Sequence, residues 1–473
     1  MGLDVVAGSR VPVPDCRPHA VTFSARPRRL STTSSIALMK RSMFPLSQLS
    51  CSHKGVVVAV RKGATRLVSL SLGLTLAASL GLAACGSDDD SSDASSGGAT
   101  AVGPEPTGPP IKFMIISQLT AANQADTTMS VAAAEAAAAS INARGGVNGS
   151  PIRIEACDDK FNPNTATACA RQAVTDDVVA VVGGISGQGD ATNPILEEAN
   201  IPAVGNYAIS PSDFSSEIAF PLMAGAPTAI AGAARALAQA GAEKVSIVYT
   251  DISQGAASTA FVEVGLRGTG AELGAKVPVP LGSTDVAPLA AAAARDSDGI
   301  VIALQPSETI KFIQTARQAG IDLPFATPSI DADLVEKLGA AAEGLTVASL
   351  YAPLTSDVPG MKAFKADMEQ FAPDAKLSDW SVGAWLAVQT VAKVIEEGQL
   401  SEIDGPSLLA ELGTIKNLDM QGILPPYSTD KPASLPGLSR LFNQSIQFGK
   451  VEDGEIVPTD GKWVTPLIPA TGG

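Results

Sequence analysis

Histidine is almost missing from this chain of 473 residues: the two present, His19 and His53, both lie near its start. Beyond them no imidazole is available as a general base, as the middle of a Ser-His-Asp relay or as a nitrogen ligand for a metal. Positive charge is scarce as well. From residue 85 onward 22 lysines and arginines face 46 acidic residues, a net of -24, a surface that repels phosphate backbones and argues against a nucleic-acid partner. Aromatic residues make up 4% of the sequence and cysteines number five. Of these, Cys157 and Cys169 are the two that follow residue 85. Two thiols cannot complete a metal site alone, so neither a metal nor any other cofactor is expected.

The chain does contain one long apolar run. Arg61, Lys62 and Arg66 precede an uncharged stretch at 67–84 that ends in Leu82-Ala83-Ala84-Cys85. A basic flank, a short apolar core and small residues at the end form a secretion signal. The segment resembles the lipobox of bacterial lipoproteins, and that resemblance implies a diacylglyceryl thioether on Cys85, which becomes the new N-terminus. About 18 apolar residues approach the length of a membrane span, but Gly86-Ser87-Asp88-Asp89-Asp90 brings no cation to hold it as an anchor. Residues 61–84 are therefore expected to be a signal peptide, and the mature chain to sit on the extracytoplasmic face of the cell membrane, held by its lipid. Residues 1–60, rich in Arg, Pro and Ser, have no apolar period and read as a disordered or non-native extension, with a start at Met43 or among Val57, Val58 and Val60. Residues 85–110 are Ser, Gly, Asp and Pro with little to bury, and read as a disordered tether. In an exported chain, Cys157 and Cys169 read as a disulfide.

From residue 111 apolar runs alternate with helix-period segments, the pattern of an α/β protein with parallel sheets. Strands are expected at 111–116, 152–155, 178–182, 201–204, 245–249, 299–304 and 345–350. Helices are expected at 129–143, 165–175, 228–239, 256–266, 286–295 and 308–319. About 360 residues exceed one sheet-centred core, so two lobes are expected, with a first seam near Ala226-Pro227. Helices at 359–371 and 380–397 have no strand beside them, which implies that the chain returns to cover the first lobe.

The loop Gly183-Gly184-Ile185-Ser186-Gly187-Gln188-Gly189-Asp190 follows a strand and opens a helix, the place where open α/β sheets bind ligands. Gly184 to Gly189 has phosphate-loop spacing, but Asp190 stands where the lysine belongs. The nucleophile elbow fails because Gln188 replaces its last glycine and no histidine activates Ser186. A dinucleotide fingerprint fails at Thr192. Two readings stay open, a tight strand-to-helix turn and a cradle for a small acceptor-rich ligand. Three further loops stand at strand ends: Asn206-Tyr207-Ala208-Ile209-Ser210, Asp251-Ile252-Ser253-Gln254 and Gln305-Pro306-Ser307. Together they line a crevice suited to a small neutral or zwitterionic solute.

Ala134-Glu135 followed by Ile141-Asn142-Ala143-Arg144-Gly145-Gly146-Val147-Asn148-Gly149 is a helix stopped by glycine before a turn into a strand. That run, with Cys157-Asp158-Asp159, Asn162-Pro163, Cys169 and the segment 344–353, resembles the type I solute-binding proteins of ABC transporters, the group that includes the leucine/isoleucine/valine-binding proteins. The resemblance implies an α/β fold of two doubly wound parallel-sheet lobes joined by a three-segment hinge. It places the first lobe at 111–228 and 354–435, the second at 229–353 and 436–465, and a tail at 466–473. It implies a small-molecule solute closed between the lobes, no catalysis, and an ABC permease with a cytoplasmic ATPase as partner.

Carried over by position, Ser186, Gly187 and Gln188 match a loop that holds a ligand carboxylate, and Tyr207, Ala208, Ile209 and Ser210 a loop that supplies backbone and hydroxyl groups. Gln254 and Gln305 fall where branched-chain amino-acid binders use tyrosines. The acid that pairs with an α-ammonium is replaced by Ser329, with Asp331 two residues on, so Asp331 or Asp251 supplies the charge or the ligand is not an α-amino acid. Small amides, urea-like solutes and short carboxylates are the other ligands considered. A ligand sensor of the same fold, reporting to a signalling partner, and a secreted serine hydrolase using Ser186 are the alternative functions.

Overall fold

The structure, a computed structural model, describes residues 103–121, 127–328, 330–400 and 402–467, without the side chains of Ser253 and Gln254. The leader, Cys85 and most of the expected tether lie outside the described residues. The chain opens with β1 (Ile111–Ser117), α1 (Thr128–Ala143), β2 (Ile152–Asp158), α2 (Pro163–Thr175), β3 (Ala180–Val182), α3 (Gly189–Glu198), β4 (Ala203–Val204) and β5 (Ala219–Phe220). These strands form one parallel sheet in the order β2-β1-β3-β4-β5.

The strand β1 shows why the sequence builds a two-faced layer. Its side chains alternate: Phe113 and Ile115 pack with the alanines of α1, whereas Met114 and Ile116 pack with Cys169, Ala170 and Ala173 of α2. Nearly every residue of this strand is buried, as a parallel strand covered on both faces must be. Asn162 caps α2 by accepting from the Asn164 and Thr165 N–H groups, and the Cys157–Cys169 disulfide ties β2 to α2 across a Cα–Cα distance of 5.7 Å.

A second succession follows: α4 (Gly225–Gln239), β6 (Lys244–Thr250), α5 (Ser253–Leu266), β7 (Glu272–Val279), α6 (Ala287–Ala294), β8 (Gly299–Ala303), α7 (Pro306–Gln318), β9 (Phe325–Pro328), α8 (Ala332–Leu338) and β10 (Thr346–Ser349). After α9 (Pro359–Phe371), α10 (Asp379–Glu397) and α11 (Gly405–Leu412), the chain ends in β11 (Gln447–Glu452) and β12 (Glu455–Pro458). The second sheet runs β12-β11-β10-β9-β8-β6-β7. It is parallel except where β11 joins β10 and β12. Asp453 and Gly454 both have positive φ, 52° and 81°, the two-residue turn that an Asp-Gly pair favours.

Two later helices return to the first half. The helix α4 packs against β9 and β10, while α9 and α10 lie against α1. A buried polar cluster fastens the latter: Asp367 of α9 accepts from Ser140 Oγ of α1 at 2.7 Å and from Trp385 Nε1 of α10 at 2.8 Å. The alanines of α1 thus pack on both sides, against the sheet and against helices, where a larger side chain would hold the layers apart. The last return of the chain runs beside the first exit. Arg440 Nε donates to the Ala219 carbonyl at 2.8 Å, its guanidinium lies over the Phe220 and Phe442 rings, and Asn443 Nδ2 donates to the Leu222 carbonyl at 3.0 Å.

Candidate functional site

Helices follow the parallel strands, so every βα loop emerges at the carboxyl end of its sheet. In the first sheet these loops are fastened to one another from below. Ser117, the last residue of β1, donates its hydroxyl to the Ile185 carbonyl at 2.9 Å and accepts the Ile185 N–H at 3.1 Å. Asn206 Oδ1 accepts the Gly184 N–H at 2.8 Å, and the Tyr207 N–H donates to the Gly184 carbonyl at 2.8 Å. The glycine-rich loop and the Tyr207 loop are therefore one unit.

Two carboxylates hold that unit. Asp159, fully buried, accepts the Ser186 hydroxyl and the Phe161 N–H. Burial pushes its carboxyl above the usual range, the two hydrogen bonds oppose this, and the charge of Asp158 adds to it. Asp213 accepts the Ile209 N–H at 3.0 Å, the Ser210 N–H at 2.8 Å and Asn193 Nδ2 at 3.0 Å. Burial raises its carboxyl too, against the same hydrogen bonds. The Asp213 carboxylate occupies the space that a side chain at Gly189 would need, which is why α3 opens on glycine. The Ser186 hydroxyl in turn accepts the Gln188 N–H at 3.1 Å, and Ser210 Oγ accepts the Gly189 N–H at 3.1 Å.

The structure thus brings Ser186, Gly187, Gln188, Tyr207, Ile209 and Ser210 together. Ala208 belongs to the same loop, but its side chain is buried with Phe214, Ala231 and Leu441, so it reaches a ligand only through its main chain. Phe161, 39% exposed, and Ile209 both border Gly187: a Cβ there would stand 3.1 Å from the Phe161 ring and 3.7 Å from Ile209 Cδ1. Gly187 has φ of 68°, a conformation that favours glycine. Beside them Tyr207 meets Trp380, in the first turn of α10, edge to face at 4.7 Å between ring centroids. Burial and the charge of Asp379 push the Tyr207 phenol well above its ordinary range, so it is a neutral hydrogen-bond donor.

In the second sheet, Thr250 at the end of β6 donates to Glu308 Oε2 at 3.0 Å and accepts the Gln305 N–H at 3.2 Å. Glu308 Oε1 accepts the Gly282 N–H at 3.2 Å. Gln305 begins α7 as its N-terminal flank. Asp331 caps α8, accepting the Leu334 N–H at 2.8 Å, and burial raises its carboxyl. Asp251 is exposed at the end of β6. Ser329 and the side chain of Gln254 lie outside the described residues. Among the described residues no hydrogen bond or ion pair joins these second-sheet residues to the first-sheet cluster.

Sequence reasoning missed Asp159, Asp213, Phe161 and Trp380 as site residues. Asp213 had a visible signal, since Ser210-x-x-Asp213 is a capping pattern. Trp380 had none, because only the return of α10 to the first sheet brings it to Tyr207. A cavity of 380 Å³ between α1, α10 and residues 418–423 opens at the other end of the first sheet, beside Arg144 where α1 ends.

The substrate-binding periplasmic protein of Ralstonia solanacearum matches the structure with a TM-score of 0.65 at 21% identity, over 74% of this chain and 99% of that one. The fatty acid ABC transporter substrate-binding protein of Thermomonospora curvata matches with a TM-score of 0.65 at 18% identity, over 77% and 95%. The fold is that of the type I periplasmic binding proteins, α/β with two parallel-dominated sheets. In sequence, the Leu/Ile/Val-binding protein of Escherichia coli (strain K12) is 25% identical over 313 residues, 64% of this chain and 82% of that protein. These relatives are binding proteins, not enzymes. The profile of the periplasmic binding protein family spans residues 110–452, and the chain belongs to that family.

Proposed function

We propose that this protein is the extracytoplasmic solute receptor of an ABC importer, which takes a small solute between the two sets of strand-end loops and delivers it to a permease driven by a cytoplasmic ATPase. The single observation that carries the reading is the pair of parallel-dominated sheets, each with a cluster of hydrogen-bonded loops at the carboxyl ends of its parallel strands, in a chain whose family profile covers residues 110–452. In this reading residues 111–228 and 354–435 form one lobe and 229–353 and 436–465 the other. Closure draws its energy from contacts made only when both loop sets touch the solute. The naming of a relative for Leu/Ile/Val binding supports a solute of amino-acid size with an apolar portion.

Cys85 carries the lipid that keeps the receptor at the membrane, and residues 85–110 form the leash. No helix among the described residues is long and apolar enough to cross a membrane. Thermal-shift screening of the full chain against amino acids, amides and small carboxylates tests the binding reading. A solute at 100 times its dissociation constant adds about 2.7 kcal/mol, and a broad library without a stabilising member refutes the reading. Cys85→Ala releases the protein from membranes; a variant that stays membrane-bound refutes the lipid anchor.

A further inference from the structure

We infer that the cavity between α1, α10 and residues 418–423 is a second ligand site, and that it takes a small organic cation, an amine carrying a short hydrocarbon body. It lies at the amino ends of the first sheet's strands, away from the loops assigned to the solute. Its assignment does not depend on the solute-binding function proposed above.

At 380 Å³ the cavity is of small-ligand size, and its walls are held without a ligand. The loop after α1 is strapped from outside by residues 103–110: the Gly103 N–H donates to the Ala143 carbonyl at 2.7 Å and the Gly108 N–H to the Gly149 carbonyl at 2.8 Å. Pro106 lies so close to Gly146 that a Cβ there would stand 2.9 Å from it. Across the cavity, Asp419 Oδ1 accepts the Gln421 N–H at 2.8 Å, and the Gln421 carbonyl accepts the Gly360 N–H at 2.9 Å. The helix α10 supplies the third wall with one face, on which Trp385, Gln389, Lys393 and Glu396 follow at helical spacing.

The lining combines apolar side chains, among them Trp385, Leu386, Met420 and Ile423, with acceptors that await a donor. Thr390 is 3% exposed and lines the cavity, yet its hydroxyl has no hydrogen-bond partner among the described residues. A buried hydroxyl left so carries a cost that a ligand relieves. Gln389 turns its Nε2 toward Asp367 at 3.5 Å, which leaves its carbonyl for a donor. The two cations of the lining are engaged: Arg144 donates to Ser140 Oγ at 2.5 Å, and Lys393 donates to the Asp419 carbonyl at 3.3 Å and lies 3.8 Å from Glu397. Glu396 has neither an ion pair nor a hydrogen bond among the described residues. Desolvation raises its carboxyl, the charge of Arg144 opposes this and that of Glu397 adds to it, so a further cation is favoured beside it. Glu396, Glu397 and Asp419 outnumber Arg144 and Lys393 around the cavity, and the net charge of -24 from residue 85 onward draws cations to the chain.

Isothermal titration of the full chain with three probes tests the class of ligand: phenethylamine, 3-phenylpropionate, which has a similar body and the opposite charge, and methylamine, which has the charge without the body. Phenethylamine binds with a Kd below about 1 mM, and the other two bind about tenfold more weakly or not at all. No binding of phenethylamine in that range, or binding of either control as tight as its own, overturns the inference. Two variants then locate the site. Glu396→Gln, at an exposed position, lowers phenethylamine affinity about fivefold and leaves Tm unchanged. Thr390→Val keeps the shape of the side chain and removes only a hydroxyl without a partner, so affinity falls about threefold while Tm holds or rises. Affinity unchanged in either variant overturns the assignment to this cavity, whatever the solute-binding loops prove to bind.

Discussion

The disulfide between Cys157 and Cys169 links residues twelve apart in sequence, one at the end of β2 and the other in the middle of α2. In the chain-entropy account, closing a loop of about 13 residues removes roughly 10 cal/mol/K from the unfolded ensemble, or about 3 kcal/mol at 25 °C. With about 2.1 cal/mol/K of unfolding entropy per residue and roughly 350 ordered residues, that loss lowers Tm by about 4 °C. Cys157→Ser is the suitable perturbation, because Cys157 is half-buried and Cys169 is the partner packed in the core beside Met114 and Val181. Scanning calorimetry of the full chain with and without dithiothreitol then gives four curves. The unmodified protein loses about 4 °C on reduction, and Cys157→Ser begins at that lower value and no longer responds. A shift below 1 °C in both comparisons refutes the entropic reasoning, and alkylation of Cys157 and Cys169 without prior reduction refutes the bridge itself.

Other expectations follow from buried polar groups. Asp367→Ala strands the Ser140 hydroxyl and the Trp385 indole N–H in the core and lowers stability by about 2–5 kcal/mol, read from urea denaturation; Asp367→Asn, which keeps an acceptor, loses less. Asp159 and Asp213 are both raised, chiefly by burial, so their protonated forms are favoured by folding. Their contribution is fully present below the unfolded value near 3.8 and is lost as pH rises through the raised folded values. Asp159→Asn therefore flattens the decline of Tm across that window, and a pH profile identical to that of the unmodified protein refutes the assignment. Asp333 is lowered by hydrogen bonds from Lys337 and Lys376, so its contribution is present above the ordinary carboxylate value and is lost as pH falls. Asp333→Asn narrows the acid-side loss in the same experiment.

How much of this was legible in the sequence follows from what each element needs. β1, β6 and β8 are largely buried on both faces and stand out as predominantly apolar runs. The two-residue strands β4 and β5 owe their place to neighbours on the sheet, and β5 carries no pattern of its own. β7 is an edge strand whose burial alternates, and its sequence, with glycine, lysine and proline, lacks the apolar run by which the central strands were found. The hairpin β11–β12 had a signal in Asp453-Gly454, but an expectation of parallel strands passes over it. The seam placed near Ala226-Pro227 falls in the first turn of α4, which begins at Gly225, and the proline there is compatible with a helix start. For the site, the glycine-rich loop and the Tyr207 loop could be found because glycine and polar residues cluster where a strand gives way to a helix. That Ser186 faces Asp159 depends on the register of β2 beside β1, which no local pattern reports.

The contact between α1 and α9 also sets a schedule for the chain. Ser140 meets Asp367, made 227 residues later, and at roughly 5–20 residues per second the ribosome needs about 10–45 s to supply the second partner. From the completion of β5 onward the first sheet has its strands and α1, but not the helices that cover the outer side of α1. Its alanine-rich helix has to wait for α9 and α10 while the whole second sheet up to β10 is made. A chain built in this order cannot complete its first half before most of the protein exists, and it therefore stays pliable for a long interval, the condition a polypeptide must keep if it is to be threaded across a membrane before it folds.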